Sequence, residues 1–243
     1  LMTEPILRCV NISKRFGSIQ ALSGVSFELY RGEVLGLVGD NAAGKSTLLK
    51  IIAGYYKPDS GEIYLDGKRV EFHSPLEARL GGVEMVYQQL LLAPNLGVVD
   101  NIFLGREEKL GGFLLHRKKM REKAAAILSR LGGEDIPLDS KVYTLSGGQQ
   151  QVVAIGRIFA ARPKIVLMDE PTASLSVKTA ERVLEVVREL SKEGISLIYV
   201  SHRLPDVLSV SHRVMLLRRG KVVFIRPVEE VTERDIIQGM VSG

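Results

Sequence analysis

The sequence contains one cysteine, Cys9, and no tryptophan among its 243 residues. A single cysteine excludes an intramolecular disulfide and a metal site made of several cysteines, and it fits a reducing compartment. Cys9 lies in the strand-like segment Ile6–Val10. We therefore expect it to be a small buried hydrophobic residue and not a nucleophile.

Long apolar runs are absent as well. No segment approaches the roughly 18 apolar residues that are needed to cross a bilayer. The N-terminal segment Leu1–Pro5 lacks the basic and apolar regions of a signal peptide. We therefore expect a soluble chain that would reach a membrane only through a partner.

Positive charge is only mildly in excess. The 33 Lys and Arg residues against 28 Asp and Glu residues give a net charge of +5. The densest basic run, His116–Lys123, is typical of a solvated helix face, with a membrane headgroup surface or a nucleic acid as the alternatives. Because no Phe, Tyr or Trp is interleaved with these basic residues, we expect no nucleic-acid partner.

Apolar patterns predict strands that alternate with helices, which is typical of a parallel α/β sheet. Predicted strands include residues 34–38, 83–87, 165–168, 195–200 and 214–217, and predicted helices include residues 45–53, 117–131, 148–161 and 177–192. Residues 98–133 have a helical character, within an insertion that runs from about 89 to 155. Asp66-Gly67 predicts a β-hairpin, and Ser74 followed by Pro75 predicts a helix start.

A glycine-rich loop follows the predicted strand at residues 34–38. The segment Gly39–Ser46 matches the phosphate-binding loop pattern, between a buried strand and a helix as that pattern requires. Successive N–H groups at a helix N-terminus bind phosphate, Lys45 would reach the β- and γ-phosphates, and Ser46 would ligate magnesium. The expected nucleotide-binding residues are Gly39, Asp40, Asn41, Ala42, Ala43, Gly44, Lys45, Ser46 and Thr47.

Two further segments distinguish this chain from other phosphate-loop proteins. Leu145-Ser146-Gly147-Gly148-Gln149 precedes Lys164–Pro171, an apolar strand that ends in two carboxylates. Their order and spacing resemble the ATP-binding cassette (ABC) family over nearly the whole chain. The resemblance implies an α/β phosphate-loop NTPase (RecA-like) core, residues 1–88 and 156–243, with an antiparallel β subdomain and an inserted helical subdomain, residues 89–155.

The segment Ser146–Gln149 also predicts a helix start with Ser146 as its N-cap. In the ABC family this signature motif faces the γ-phosphate of ATP bound to a second cassette. The resemblance therefore implies two ATP molecules between two cassettes. The residues that would complete the partner's site are Ser146, Gly147, Gly148 and Gln149.

The resemblance assigns roles to five more side chains. Phe16 would stack on adenine, with a core phenylalanine as the alternative, and Gln88 would touch magnesium and the attacking water. Asp169 would hold magnesium through water, Glu170 would be the general base, and His202 would sense the γ-phosphate. The expected catalytic residues are Lys45, Gln88, Glu170 and His202, and the expected magnesium ligands are Ser46, Gln88 and Asp169.

Two positions depart from the family pattern. Ala42 stands where glycine is usual, so a left-handed backbone there would cost roughly 1 kcal/mol. Ser176 stands where aspartate is common. Serine can still cap the following helix, but it removes a charge that reaches across the dimer interface in the family. We expect weaker coupling between the two ATP sites, with hydrolysis retained.

Three segments resemble the ATPases of bacterial monosaccharide importers: Phe72–Ala78, Asn95–Glu107 and Ser201–Leu204. The resemblance implies an ATPase on the cytoplasmic face of the inner membrane. Its expected partners are transmembrane permease subunits, a second cassette in a homodimer and, indirectly, a sugar-binding protein. The end at Gly243 fits a single cassette, which we favour, or the first half of a fused pair. A non-hydrolysing ABC module and a soluble ABC factor are the alternative functions.

Overall fold

The computed structural model describes residues 4–86, 92–110, 114–173 and 175–241. Predictions made at Leu1–Thr3, Tyr87, Gln88 and Ser174 lie outside the described residues. The strands are β1 (Leu7–Phe16), β2 (Ile19–Leu29), β3 (Val34–Val38), β4 (Ser60–Leu65), β5 (Lys68–Val70), β6 (Val83–Val86), β7 (Lys109–Leu110), β8 (Leu114–Leu115), β9 (Ile165–Asp169), β10 (Ser196–Val200), β11 (Arg213–Arg218) and β12 (Lys221–Pro227). The helices are α1 (Lys45–Ile52), α2 (Pro75–Gly81), α3 (Val98–Phe103), α4 (Arg117–Arg130), α5 (Gly147–Ala161), α6 (Val177–Lys192), α7 (Leu204–Val210) and α8 (Glu233–Val241).

The larger sheet has the strand order β12-β11-β3-β10-β9-β6. Its neighbours from β11 to β9 are parallel, and β12 is antiparallel to β11. The strands β3, β9 and β10 are buried along their whole length, as expected where both faces of a sheet are covered. The predicted parallel α/β sheet is confirmed, and it brings the carboxyl ends of β3, β9 and β10 to one edge.

The smaller sheet is antiparallel, with the order β2-β1-β4-β5. The predicted hairpin between β4 and β5 is confirmed, because Asp66 and Gly67 both have left-handed backbones, with φ of 49° and 74°. Two such residues in succession are typical of a type I′ turn. Cys9 is buried in β1, and burial raises the pKa of its thiol, as expected of a core residue.

The chain folds into two compact units, a sheet unit and a helical unit. The sheet unit comprises Leu1–Met85, Lys164–Glu170 and Val187–Gly243, and the helical unit comprises Val86–Pro163 and Pro171–Val186. Buried aliphatic residues form the core of each unit. Among the described residues, no helix has both the length and the apolar composition to span a membrane.

The helical unit differs from the prediction between residues 104 and 116. The helix α3 ends at Phe103 and Gly105 has a left-handed backbone, with φ of 74°. The strands β7 and β8 then pair antiparallel before α4 begins. The prediction of helical character is wrong for the described residues of this stretch, 104–110 and 114–116. Strands of two residues are too short to show the period-2 pattern that identifies a strand.

The basic run His116–Lys123 forms the N-cap and first turns of α4, and four of its cations are paired with acids of the same unit. Lys119 and Lys123 both pair with Glu108, and Arg121 pairs with Asp139. These pairings favour the interpretation of the run as a solvated, ion-paired helix face.

Candidate functional site

The phosphate loop connects the carboxyl end of β3 to the first turn of α1. Gly44 is the N-cap of α1, with φ of 103°, and the Leu48 N–H donates a hydrogen bond of 2.9 Å to the Gly44 carbonyl. A Cβ atom at Gly44 would lie only 2.5 Å from the Ala21 carbonyl oxygen. Glycine is therefore required here both by the backbone conformation and by the space available.

Lys45 is 7% exposed and folds back over the loop. Its Nζ donates hydrogen bonds of 2.7 Å to the Gly39 carbonyl and 2.9 Å to the Asp40 carbonyl. Burial lowers the pKa of Lys45, whereas the nearby carboxylates of Glu170, Asp40 and Asp169 raise it. The sheet unit thus places Lys45 in the electrostatic field of the Asp169 and Glu170 carboxylates.

Ala42 has a left-handed backbone, with φ of 69°, which is the conformation in which an alanine is strained. The adjacent Ala43 is buried, and its N–H donates a hydrogen bond of 3.2 Å to the Asp40 carbonyl. Side chains on the outer side of the loop remain open to a ligand. Asp40, Asn41 and Ser46 are exposed, and Thr47 is half-buried.

Glu170 and His202 meet at the edge of the larger sheet, where β9 and β10 end. The His202 N–H donates a hydrogen bond of 3.2 Å to Glu170 Oε2, and the ring Nε2 lies 3.3 Å from Oε1. The Glu170 side chain is 8% exposed, whereas that of His202 is 55% exposed. The adjoining Asp169 is buried at the last position of β9. The predicted residues Asp169, Glu170 and His202 are therefore neighbours, and their roles remain predictions.

Glu170 Oε1 is the open acceptor of this arrangement. The atom is buried and accepts no hydrogen bond from any described residue, although the His202 ring Nε2 lies 3.3 Å away. Burial raises the pKa of Glu170, and the His202 amide and ring partly oppose that rise. A buried carboxylate oxygen without a donor is an expected place for a water or ligand hydrogen bond.

The backbone of Glu170 is also unusual, because its φ of 52° is left-handed. For a residue other than glycine this conformation costs about 1–2 kcal/mol. The Glu170 N–H donates a hydrogen bond of 3.0 Å to the Val200 carbonyl, which holds the turn after β9 in place. Sequence reasoning missed this strain, since no local residue pattern encodes it.

Phe16 ends β1 and is 41% exposed, which excludes the alternative of a core phenylalanine. Its ring centroid lies 5.2 Å from that of Tyr56, with an interplanar angle of 70°. This edge-to-face partner was not foreseen from the sequence. Stacking of Phe16 on adenine remains a prediction.

The signature motif lies in the helical unit, at the start of α5. The Gln149 N–H donates a hydrogen bond of 3.3 Å to Ser146 Oγ, and the Ser146 N–H donates one of 3.1 Å to Gln149 Oε1. The predicted N-cap is confirmed as a reciprocal capping box. Gln149 Nε2 also donates a hydrogen bond of 3.1 Å to Asp135 Oδ2, so Asp135 joins the motif. Ser146, Gly148 and Gln149 line a cleft of about 540 Å³.

Ser176 caps α6 as predicted. Its Oγ accepts a hydrogen bond of 3.3 Å from the Thr179 N–H and lies 2.9 Å from Thr179 Oγ1.

Gln88, the remaining predicted magnesium ligand and catalytic residue, lies outside the described residues.

A phosphate loop after the buried parallel strand β3, in a sheet where β9 lies two places away and is followed by Glu170, defines a phosphate-loop nucleotide-binding protein. The model of the ABC transporter family matches residues 22–173. The chain belongs to this family, as its sequence motifs predicted.

Three relatives match almost the whole chain. The chain is 44% identical to the ribose import ATP-binding protein of Rubrobacter xylanophilus, over 98% of this chain and 48% of that protein. It is 44% identical to the xylose/arabinose import ATP-binding protein of Sulfolobus acidocaldarius, over 98% and 94% of the two chains. It is 43% identical to the fructose import ATP-binding protein of Rhizobium meliloti, over 99% and 95%. The chain therefore spans about half the ribose relative and nearly all of the other two.

Two solved structures have the same fold. A nucleotide-free ATP-binding cassette from an ABC transporter aligns with a TM-score of 0.85 and 30% identity, over 99% of this chain and 100% of that chain. A dimeric bacterial ABC transporter cassette aligns with a TM-score of 0.80 and 28% identity, over 91% and 98%. The predicted phosphate-loop α/β fold is confirmed.

Proposed function

We propose that this chain hydrolyses ATP to power a membrane importer, and that the imported substrate is a monosaccharide. The observation that carries the hydrolytic part is the buried Oε1 of Glu170, which accepts no hydrogen bond from the described residues and lies 3.3 Å from the His202 ring. The relatives are named as ATP-binding proteins for the import of ribose, of xylose or arabinose, and of fructose. These names support a monosaccharide as the imported substrate.

The triphosphate of ATP would bind at Gly39–Thr47. The N–H groups at the start of α1 would donate to phosphate oxygens, aided by the positive end of the helix dipole. Lys45 would exchange its hydrogen bonds to two loop carbonyls for bonds to the β- and γ-phosphates. Phe16, at the end of β1, would stack on the adenine base.

The donor set fits a magnesium ion. Among the described residues, no group of three or more His, Cys, Asp or Glu side chains could hold a metal alone. Magnesium bound to a nucleotide does not need such a group, because one or two protein oxygens, phosphates and waters complete its shell. Ser46 and Asp169, with Gln88, would hold it, and it would neutralise charge on the phosphates.

Glu170 would act as the general base. Its Oε1 would accept the proton of a water whose oxygen attacks the γ-phosphorus, while the bond to the β–γ bridging oxygen breaks and ADP leaves. The raised pKa of Glu170 makes it a stronger base than an exposed glutamate. The His202 N–H would hold Oε2 throughout, and its exposed ring would contact the γ-phosphate.

A second cassette would complete each ATP site with its signature motif, residues Ser146 to Gln149. The solved structure of a dimeric bacterial cassette supports the dimer. The dimer would bind permease subunits at the cytoplasmic face of the inner membrane. A sugar-binding protein would deliver the monosaccharide to the permease. The proposal also includes the division of the chain into a core of residues 1–88 and 156–243 and a helical subdomain of residues 89–155.

The test is co-purification of this chain with a membrane permease encoded beside it, followed by an ATPase assay with candidate sugars and the binding protein. We expect a complex whose ATPase activity rises with one monosaccharide. Activity that responds to DNA or ribosomes, without permease binding, would contradict importer function.

A further inference from the structure

The segment that follows α1 is fastened to the end of β1, where Phe16 lies. The Asp59 N–H donates a hydrogen bond of 2.9 Å to the Ser13 carbonyl. Asp59 Oδ2 accepts one of 2.6 Å from the Arg15 N–H, and Asp59 Oδ1 accepts one of 2.8 Å from Lys14 Nζ. Three successive residues before Phe16 are therefore held by one aspartate.

Tyr56 extends this fastening to the aromatic ring itself. Its ring centroid lies 5.2 Å from that of Phe16 at an interplanar angle of 70°. Tyr56 is in turn anchored on α1, since its N–H donates a hydrogen bond of 3.3 Å to the Lys50 carbonyl and Lys50 Nζ lies 5.9 Å from its ring centroid. The contact thus connects Phe16 to the helix that begins in the phosphate loop.

The contact between the two rings bears on how a base would bind. An exposed phenylalanine at a strand end samples several ring orientations, and stacking on a ligand would have to fix one of them. An edge-to-face contact favours one ring plane and still leaves ring surface open. Phe16 is 41% exposed in this contact, so a flat base can still reach it.

We propose that Tyr56 is a positioning residue for the base of the nucleotide: it orients the Phe16 ring so that a purine stacks without further ordering. This inference rests on the proposed ATP binding and on the stacking role of Phe16. It deepens that role by naming the residue that prepares the platform.

The test is calorimetric titration of the whole chain with MgATP and, separately, with magnesium tripolyphosphate, which has no base. We expect Tyr56→Ala and Tyr56→Leu to weaken MgATP binding about 3- to 10-fold, and Tyr56→Phe to stay within about twofold of the wild type. Tripolyphosphate affinity should be unchanged in all three variants. Tyr56→Leu retains side-chain bulk, so it gives the answer if the alanine variant does not fold.

Phe16→Ala separates the two levels of the proposal. If it weakens MgATP binding while the Tyr56 variants do not, the positioning role is wrong and the stacking role stands. If Phe16→Ala leaves MgATP binding unchanged, the stacking role is wrong and this inference with it. Equal weakening of tripolyphosphate by Tyr56→Ala would show a general effect on the fold, and would also overturn the inference.

Discussion

The His202 N–H donates a hydrogen bond of 3.2 Å to Glu170 Oε2, while Oε1 accepts no hydrogen bond from the described residues and lies 3.3 Å from the His202 ring. One carboxylate oxygen is therefore fixed and the other is left open. Since the backbone of Glu170 is left-handed and tied to Val200, the open oxygen has a defined place at the edge of the sheet.

Burial of this carboxylate predicts a pH-dependent cost to stability. Burial raises the pKa of Glu170 in the folded state. The contribution of Glu170 to the free energy of unfolding is therefore fully favourable below the unfolded-state pKa, and it is lost as pH rises through the folded-state pKa. Glu170→Gln removes the charge. Without nucleotide or divalent cations, we expect this variant to be more stable than the wild type at neutral pH.

Urea unfolding at a series of pH values checks this expectation. The gap between the midpoints should close as pH falls below the pKa of an unfolded glutamate. A gap that is constant with pH, or a variant less stable at neutral pH, would contradict it.

The left-handed backbone of Ala42 predicts that glycine is preferred there. Ala42→Gly should relieve about 1 kcal/mol of backbone strain, partly offset by the larger entropy of glycine in the unfolded chain. We expect a net gain of about 0.5 kcal/mol in unfolding free energy, or tighter ATP binding. Ala43 is the matched control, because it does not share this backbone and is buried.

Ala43→Gly should lower stability. No gain in either stability or ATP affinity for Ala42→Gly would show that the loop is not strained at this position.

The hydrogen bond between Asp135 and Gln149 predicts a charge-dependent effect on the signature motif. Gln149→Glu keeps the capping box but places a second carboxylate 3.1 Å from Asp135. We expect ATPase activity to fall about 3- to 5-fold from this repulsion, which amounts to roughly 1 kcal/mol between charges that are screened by bulk water. Adding Asp135→Asn to Gln149→Glu supplies a side-chain amide that can donate to the new carboxylate, and it should restore ATPase activity. Failure of the double variant to recover would argue against a role for the pair.

Ser176 predicts weak coupling between the two ATP sites. Ser176→Asp preserves the cap of α6, because aspartate and serine cap equally well. It also supplies the charge that is usual in the family. We expect a higher Hill coefficient for ATP with unchanged unfolding free energy, and an unchanged Hill coefficient would count against the coupling role.

The parts of the site with local backbone chemistry were predictable from the sequence. The position of Gly44 requires a left-handed backbone and has no space for a Cβ atom. Asp66-Gly67 matches a single turn type, and Ser146 with Gln149 forms a cap within one turn of helix. In each case the residues that impose the conformation are neighbours in the chain.

The parts that depend on distant residues were not predictable. The backbone of Glu170 is held by Val200, thirty positions away, and the ring of Phe16 meets Tyr56, forty positions away. The strands β7 and β8 have only two residues each, so the pairing between them carries no sequence period.

General-base catalysis by Glu170 is tested most directly by phosphate release from MgATP, compared between the wild type and Glu170→Gln in the permease complex. We expect kcat to fall at least about 100-fold, while the Kd for MgATP, measured by titration, stays within about threefold. Hydrolysis at a near wild-type rate by a variant that binds MgATP normally would contradict the assignment of Glu170.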